Sequence, residues 1–131
     1  MSNYKVLIDS SVWIEYFRKG DIPFLDQLLK EGFACVNELI LIELQPVLIH
    51  RKRNDILEGL LALELIPLQI DWKLIRAYQL INLQNGINKV GLPDLMVIQQ
   101  VIEKKIALFS FDKHFKLMNE HLNFELISNQ N

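Results

Sequence analysis

The sequence contains few of the residues that mark several common classes of protein. Its only cysteine, Cys35, has no second cysteine with which to form an intramolecular disulfide bond. Its three histidines, His50, His114 and His121, are not spaced from one another or from Cys35 as zinc ligands are. We therefore expect neither a disulfide framework nor a structural zinc site. Cys35 lies in the apolar run FACV, which predicts a small buried side chain.

Long apolar runs are also missing. No run reaches the roughly 18 apolar residues that a membrane-spanning helix needs. The N-terminal MSNYKVLID lacks the hydrophobic region of a secretory signal, because a lysine interrupts its one apolar stretch. We expect a cytoplasmic protein with no membrane partner. The chain has 131 residues, of which 50% are hydrophobic and 23% charged, so residues 1–131 are predicted to form a single globular domain.

An excess of positive charge is absent as well. The formal net charge is -2 at pH 7, whereas proteins that bind nucleic acids are usually basic on the binding face. Taken alone, the net charge argues against a nucleic-acid partner.

The sequence does contain a regular alternation of short apolar runs with longer amphipathic segments. The predicted strands are residues 4–8, 33–36, 65–68, 106–109 and 124–127. The first predicted helix follows a cap at Ser10 or Ser11 and continues until Gly20. The others are residues 23–31, 38 to about 53, 55–63, 72–84 and about 93–105, with a short helix after Asp112. Such alternation implies crossover connections and a mainly parallel sheet covered on both faces. The predicted fold is therefore three-layer α/β/α.

The first helix illustrates how this pattern is interpreted. Ser10 or Ser11 can cap its start. Trp13, Tyr16 and Phe17 then follow at helical spacing, which predicts a stripe packed on the core; a groove for a partner is the alternative.

Three aspartates occur at strand ends or helix starts. Ligands of parallel sheets bind beyond the carboxyl ends of the strands, and Asp9 and Asp112 each follow a predicted strand. Asp94, in GLPDLMV, lies in the first turn of a predicted helix. Each has a structural alternative, since Asp is common in turns and satisfies free amides at helix starts. For Asp9 the capping alternative is weaker, because Ser10 and Ser11 are available.

Glu43 lies in the apolar segment LILIELQPVLI. On a helix its neighbours include Leu39, Ile40 and Val47, so its carboxylate projects from a largely apolar side. A buried carboxylate is costly unless it is paired, protonated or bound to a cation. The alternative is a Glu at the edge of the apolar stripe whose tip reaches water. Pro46, three residues later, is expected to kink this helix or displace its start.

If the sheet brings these four acids together, their mutual repulsion favours a hard divalent cation such as Mg2+ or Mn2+. An all-oxygen site of this kind suits phosphodiester hydrolysis, because the cation activates water and neutralises charge on the leaving oxygen. The sequence suggests no catalytic triad.

The motifs LIDSSVWIEYF, LILIELQPVLI, VGLPDLMVIQQ and LFSFDKHF, in this order, resemble those of the PIN domain family, in particular the VapC-type toxins of bacterial toxin-antitoxin pairs. The resemblance extends from Val6 to about Phe124. It implies a five-stranded parallel sheet and a ribonuclease that depends on Mg2+ or Mn2+. Its acidic quartet corresponds to Asp9, Glu43, Asp94 and Asp112.

The resemblance also implies supporting residues and partners. Ser110 corresponds to a family hydroxyl two residues before the last acid, where Thr is commoner, and Ser11 matches a small polar residue that orients the first Asp. Pro46 departs from the pattern. A homodimer and a cognate antitoxin that covers the acidic cleft are further implications.

The quartet changes the meaning of the net charge. The chain has 16 acidic residues, and 16 less these four leaves 12 against 14 Lys and Arg, so the remaining surface is about +2. Phosphate contacts are predicted from Arg51, Lys52, Arg53, Lys89 and Lys113. The alternative for the 50–53 cluster is a solvated helix end. His114 is either an RNA contact or a turn residue beside core Phe115.

Other classes of protein fit less well. A phosphatase of the phosphoaspartyl type needs a second Asp two residues after Asp9, where Ser11 stands, and a receiver domain needs adjacent acids that the sequence lacks. A PIN-like domain that binds without cutting predicts lost acids, yet all four are present. An RNA-processing nuclease outside any toxin system stays open.

Overall fold

The computed structural model describes residues 4–128, in which five strands and seven helices alternate. The strands are β1 (Val6–Ile8), β2 (Ala34–Val36), β3 (Glu64–Leu65), β4 (Ala107–Phe109) and β5 (Leu126–Ile127). The helices are α1 (Ser10–Lys19), α2 (Pro23–Glu31), α3 (Glu38–His50), α4 (Asn54–Leu61), α5 (Trp72–Gln84), α6 (Leu92–Lys104) and α7 (Lys113–Met118).

All strand pairs are parallel, and the strand order is β3-β2-β1-β4-β5. The chain moves from β1 to one side of the sheet through β2 and β3, and then to the other side through β4 and β5. The carboxyl ends of β1 and β4 therefore meet where the direction of winding reverses, which is the usual ligand site of open parallel sheets. The predicted three-layer α/β/α fold with a five-stranded parallel sheet is confirmed.

The central strands are buried on both faces, as parallel sheets require. Val6, Leu7 and Ile8 have no exposed surface. Cys35 is fully buried, as predicted, and burial raises the pKa of its thiol to about 12. Trp13 lies in the core with Tyr16 and Phe17 packed against it, which confirms the predicted apolar stripe of α1. In residues 4–128, no helix is long and apolar enough to cross a membrane.

The predicted strand at residues 65–68 was wrong in its position, since β3 is Glu64–Leu65. The amide of Ile66 still donates to the carbonyl of Val36 at 2.8 Å, so the ladder reaches one residue further. The carbonyls of Ile66 and Pro67 then accept hydrogen bonds from the side chain of Gln100, and the ladder goes no further.

Two expectations about helix ends were also wrong. The cap of α1 is Asp9, whose side chain accepts a hydrogen bond from the amide of Ser11, and Ser10 is already the first helical residue. Helix α3 ends at His50, three residues before the predicted end, and Lys52 adopts a left-handed backbone with φ of 59°. A non-glycine residue at positive φ is typical of a turn rather than a helix interior.

Pro46 lies inside α3. Of the two expected effects, a kink or a displaced start, the second does not occur, because the helix still begins at Glu38. Proline lacks the N–H that would bond to the carbonyl of Ile42. Ile42 is 73% exposed, which places this position on the solvent side of the helix, where water can satisfy the freed carbonyl.

Candidate metal centre

The candidate site lies beyond the carboxyl ends of the adjacent strands β1 and β4. Asp9 directly follows β1, and Ser110 and Asp112 follow β4. Helix α3 contributes Glu43, and Asp94 lies in the first turn of α6. Four separate elements thus supply the four acids.

Asp9 is buried and held through one of its carboxylate oxygens. Oδ2 accepts hydrogen bonds from the hydroxyl of Ser11 at 2.6 Å, the hydroxyl of Ser110 at 2.9 Å and the amide of Ser11 at 3.3 Å. Within the part of the chain that the structure describes, Oδ1 has no such donor. The carboxylate is therefore fixed in orientation, while one oxygen stays available to a ligand.

The two serine hydroxyls also join the loops after β1 and β4. The hydroxyl of Ser11 accepts from the amide of Phe111 at 3.0 Å, and that of Ser110 accepts from the amide of Asp112 at 3.0 Å. Ser11 Oγ and Ser110 Oγ are 3.3 Å apart. The hydroxyls that the sequence predicts as supporting groups thus hold Asp9 and the segment containing Asp112 in one hydrogen-bonded unit.

Glu43 is exposed rather than buried on an apolar side, so the structure agrees with the alternative in which its tip reaches water. Its Oε2 accepts a hydrogen bond of 2.8 Å from the hydroxyl of Ser10. Ser10 itself is buried, so its hydroxyl provides a fixed point from the start of α1. The pose of Glu43 depends on this contact between α1 and α3.

Asn37 sets the position of α3 relative to α6. Its side-chain oxygen caps α3 by accepting from the amide of Ile40 at 2.9 Å, and its amide group donates to Gln100 Oε1 at 2.8 Å. Gln100 also donates to the carbonyls of Ile66 and Pro67. Buried and satisfied amide networks of this kind fix packing geometry. Here the network connects the helix that carries Glu43 with the helix that carries Asp94.

Asp94 does not act as the amide acceptor that its position at a helix start allows. The cap residue of α6 is Gly91, and among residues 4–128 no hydrogen bond reaches the half-buried carboxylate of Asp94. Burial, and then the negative charges of Asp112, Asp9 and Glu43, raise the pKa of Asp94 to about 6, while His114 opposes the shift. Asp112, Asp9 and Glu43 therefore all lie within electrostatic reach of Asp94.

Asp112 is both the cap of α7 and part of a possible metal-binding group. Its Oδ1 caps α7 by accepting from the amide of His114 at 2.9 Å. It also belongs to a group in which one ligand atom each from Asp94, Asp112 and His114 all lie within 4.8 Å of one another. The capping hydrogen bond uses only part of the acceptor capacity of the carboxylate, so its oxygens can still bind a ligand.

This donor set fits a hard divalent cation. Burial without a hydrogen-bond donor makes the charged form of Asp94 costly, and the neighbouring acids add to that cost. A cation with charge of +2 reverses both effects, and carboxylate oxygens with free positions are the ligands that Mg2+ and Mn2+ accept. The arrangement therefore suits metal-assisted hydrolysis of a phosphate ester.

The predicted phosphate contacts divide into three groups. Arg51 and Arg53 line a groove that includes Glu43, and Arg53 also pairs with Asp55 at 3.3 Å. Lys113 lines a small cleft with Ser110 and Asp112, a cleft to which Lys116 also contributes. Lys52 and Lys89 are exposed, have left-handed backbones and line neither of these two surfaces.

Sequence reasoning missed three residues of the site. Ser10 was considered only as a cap, Asn37 was not considered, and His114 was weighed only as an RNA contact or a turn residue. For His114 the sequence offered one signal, its position two residues after Asp112. When an aspartate caps a helix, the residue two positions later donates its amide to that carboxylate, and here the imidazole of His114 also lies beside the carboxylate of Asp112. The other two contacts depend on tertiary packing.

The family model described as PIN domain matches residues 6–120. No curated protein sequence matches the chain.

Several solved structures share the fold. A chain of DNA-bound VapBC from Salmonella typhimurium aligns with a TM-score of 0.74 and 15% identity, covering 95% of this chain and 98% of that one. VapBC2 from Rickettsia felis, bound to a promoter DNA fragment, gives a TM-score of 0.74 and 18% identity, covering 94% and 97%. FitAcB from Neisseria gonorrhoeae gives a TM-score of 0.66 and 16% identity, covering 93% of this chain and 96% of that one.

Proposed function

Because the chain belongs to the PIN domain family, we propose that it is a metal-dependent endoribonuclease and the toxin of a toxin-antitoxin pair. The observation that supports the proposal is the environment of half-buried Asp94, whose pKa burial and the charges of Asp112, Asp9 and Glu43 raise to about 6. Asp9, Glu43, Asp94 and Asp112 are the proposed acidic quartet. These four residues are the proposed cation ligands, directly or through water. The proposed cation is Mg2+ or Mn2+.

The chain's own residues have distinct roles in this proposal. Once bound, the cation lowers the pKa of a coordinated water and neutralises charge that develops on the phosphodiester. Ser11 and Ser110 hold Asp9 through Oδ2 and leave Oδ1 for ligation. Ser10 holds Glu43 through Oε2. Water is the proposed nucleophile, so no side chain forms a covalent intermediate.

RNA is the proposed substrate. Arg51 and Arg53 beside Glu43, and Lys113 beside Asp112, place positive charge on two sides of the acids. Cations so placed can bind the phosphates that flank a scissile bond without reading the bases. Lys52 and Lys89 are proposed only as peripheral contacts.

A protein antitoxin is the proposed regulatory partner. The groove that contains Glu43 is otherwise largely apolar, with exposed Ile14 and Val47 beside Phe17 and Leu48. An amphipathic segment that covers apolar residues there would also reach the acidic site, in the manner of helix-in-groove recognition. The structures named above are of VapBC and FitAcB. The homodimer and the cytoplasmic location stay predictions, and light scattering of the purified protein tests the first.

Cleavage of total RNA by purified protein tests the nuclease. The protein is freed of any copurified partner by unfolding and refolding, and is assayed with Mn2+, with Mg2+ and with a chelator. We expect cleavage that needs metal and is lost in Asp9→Asn. Asp21→Asn, which changes an exposed acid outside the quartet, is the matched control and should cleave like the wild type.

The cleavage assay, together with measurements of RNA binding and of growth on expression, separates the alternatives. Cleavage that persists in chelator, or in Asp9→Asn, would contradict the proposed mechanism. A protein that binds RNA equally with and without Mn2+ and leaves it intact would be a binding module. Metal-dependent cleavage without growth arrest on expression would favour an RNA-processing nuclease outside a toxin system.

A further inference from the structure

His114 lies inside the acidic site, although the quartet does not include it. It is the second residue of α7, and its backbone amide donates to Asp112 Oδ1 at 2.9 Å. This bond folds the first turn of α7 so that the imidazole lies beside the acids. Nδ1 of His114 is 3.4 Å from Asp112 Oδ1, and the side chain is 31% exposed.

The distances suit coordination of one ion. One ligand atom each from Asp94, Asp112 and His114 lies within 4.8 Å of the other two. Metal–nitrogen and metal–oxygen bonds of about 2.0–2.3 Å place the ligand atoms of a shared ion within roughly this separation of one another. Asp94, which has no hydrogen-bond donor within residues 4–128, is one of the three.

The chemistry of the three groups differs from that of an all-carboxylate site. Carboxylates and water suit Mg2+, which keeps oxygen ligands and loses its hydration waters reluctantly. Imidazole nitrogen favours first-row transition ions, among which Mn2+ still accepts a largely oxygen shell. One nitrogen among oxygens therefore shifts selectivity without excluding either ion.

We propose that His114 supplies a nitrogen ligand to the cation held by Asp94 and Asp112, and that this nitrogen makes the site favour Mn2+ over Mg2+. The inference rests on the proposed metal dependence and adds a fifth protein ligand, with a stated selectivity, to the four acids. The competing explanation is an ion pair, in which protonated His114 only neutralises Asp112. An ion pair predicts no metal–nitrogen bond and no difference between the two ions.

The test combines spectroscopy with binding, on full-length protein that carries no affinity-tag histidines. Electron spin echo measurements on bound Mn2+ detect the 14N coupling of a directly coordinated imidazole, and calorimetric titrations give the Mn2+ and Mg2+ affinities. The variants are His114→Ala and, as matched control, His121→Ala, which removes an exposed imidazole from the turn after α7. Circular dichroism confirms that each variant is folded.

We expect the 14N coupling in the wild type and in His121→Ala, and its loss in His114→Ala. Mn2+ affinity should fall at least about tenfold in His114→Ala, the lower end of what loss of even an outer-sphere partner costs, while Mg2+ affinity changes little.

Two results would overturn the inference alone: Mn2+ bound by the wild type without 14N coupling, or equal losses of both affinities in His114→Ala. The spectrum of the wild type decides the first even if the variant does not fold. Failure of the wild type to bind either ion would overturn the inference together with the metal dependence of the proposed nuclease, and the RNA cleavage assay records that failure independently.

Discussion

The hydroxyl of Ser110 donates a hydrogen bond of 2.9 Å to Oδ2 of Asp9, although the two residues are 101 positions apart in the chain. The bond joins the segments that follow the adjacent strands β1 and β4. The same hydroxyl accepts from the amide of Asp112 at 3.0 Å. One buried side chain thus sets the orientation of one acid and the backbone of another.

Ser110→Ala is therefore expected both to lower stability and to impair the nuclease. The change leaves the amide of Asp112 without its acceptor and removes one of three donors to Asp9, a loss of about 1–3 kcal/mol for a buried unsatisfied group. We expect RNA cleavage to fall about tenfold or more, since each 1.4 kcal/mol is about a factor of ten. Cleavage rates at saturating Mn2+ measure the effect.

Ser110→Thr is the matched variant, because it keeps the hydroxyl and adds only a methyl group. Cleavage near the wild-type rate in Ser110→Thr, with loss in Ser110→Ala, assigns the effect to the hydrogen bonds. Equal losses in both would mean that packing around this buried position, rather than the hydroxyl, is what the site requires.

Asp94 predicts a pH dependence of stability in the metal-free protein. Its pKa in the folded state is about 6, against an ordinary value of 3.8, because of burial and the neighbouring acids. Between these values the folded state binds more protons than the unfolded state, so the free energy of unfolding falls as pH rises from about 4 to about 6 and then levels off. Because Asp94 is only half-buried, solvent screening makes the loss smaller than the full value of about 1.4 kcal/mol per pKa unit.

Asp94→Asn should remove this loss, and so be more stable than the wild type at pH 7 in the presence of chelator. Urea titrations at pH 4 and pH 7 measure the difference, and Asp21→Asn serves as the exposed control. Addition of Mn2+ should then stabilise the wild type but not Asp94→Asn, because a ligand stabilises only the state that binds it. If Asp94→Asn is no more stable than the wild type at pH 7, the raised pKa of Asp94 is contradicted.

The fold was largely predictable because the signals that specify it are local. Alternating apolar runs and helix-ending glycines located most elements, and parallel pairing follows from crossover connections. The errors occurred where local signals compete. The sequence offers three candidate caps for α1, namely Asp9, Ser10 and Ser11, and the structure uses Asp9. The apolar run at 65–68 continues past the end of β3, where the side chain of Gln100 donates to the carbonyls of Ile66 and Pro67.

The candidate site was predictable only in part. The sequence indicated which acids follow strands, because that depends on element order. It left open whether Glu43 is buried or reaches water. It did not indicate that Ser10 holds Glu43 or that His114 lies beside Asp94, because those contacts depend on how α1, α3, α6 and α7 pack.

The contact between Ser10 and Glu43 predicts a selective effect on cation binding. Ser10→Ala removes the hydroxyl that donates to Glu43 Oε2 at 2.8 Å, and hydrogen bonds to charged groups contribute about 1.5–3 kcal/mol. We expect Mn2+ affinity to fall by about tenfold, equivalent to about 1.4 kcal/mol. Pro46→Ala is the control for the backbone of α3. It should leave affinity unchanged, because Pro46 is exposed and the helix is continuous through it. A loss in Pro46→Ala alone would show that proline, rather than Ser10, sets the pose of Glu43.

The groove beside Glu43 predicts which cations bind RNA phosphates. Arg51 lines this groove, whereas exposed Lys89 lines neither surface beside the acids. In an Asp9→Asn background that prevents cleavage, Arg51→Gln should weaken binding of single-stranded RNA and reduce the slope of log affinity against log salt by about 0.7, the value for one phosphate contact. Lys89→Gln removes the same charge from a residue proposed only as a peripheral contact and should reduce that slope by much less. Fluorescence anisotropy with labelled RNA at several salt concentrations measures both slopes. Equal reductions in the two variants would mean that net charge, rather than the position of Arg51 beside the acidic site, determines RNA binding.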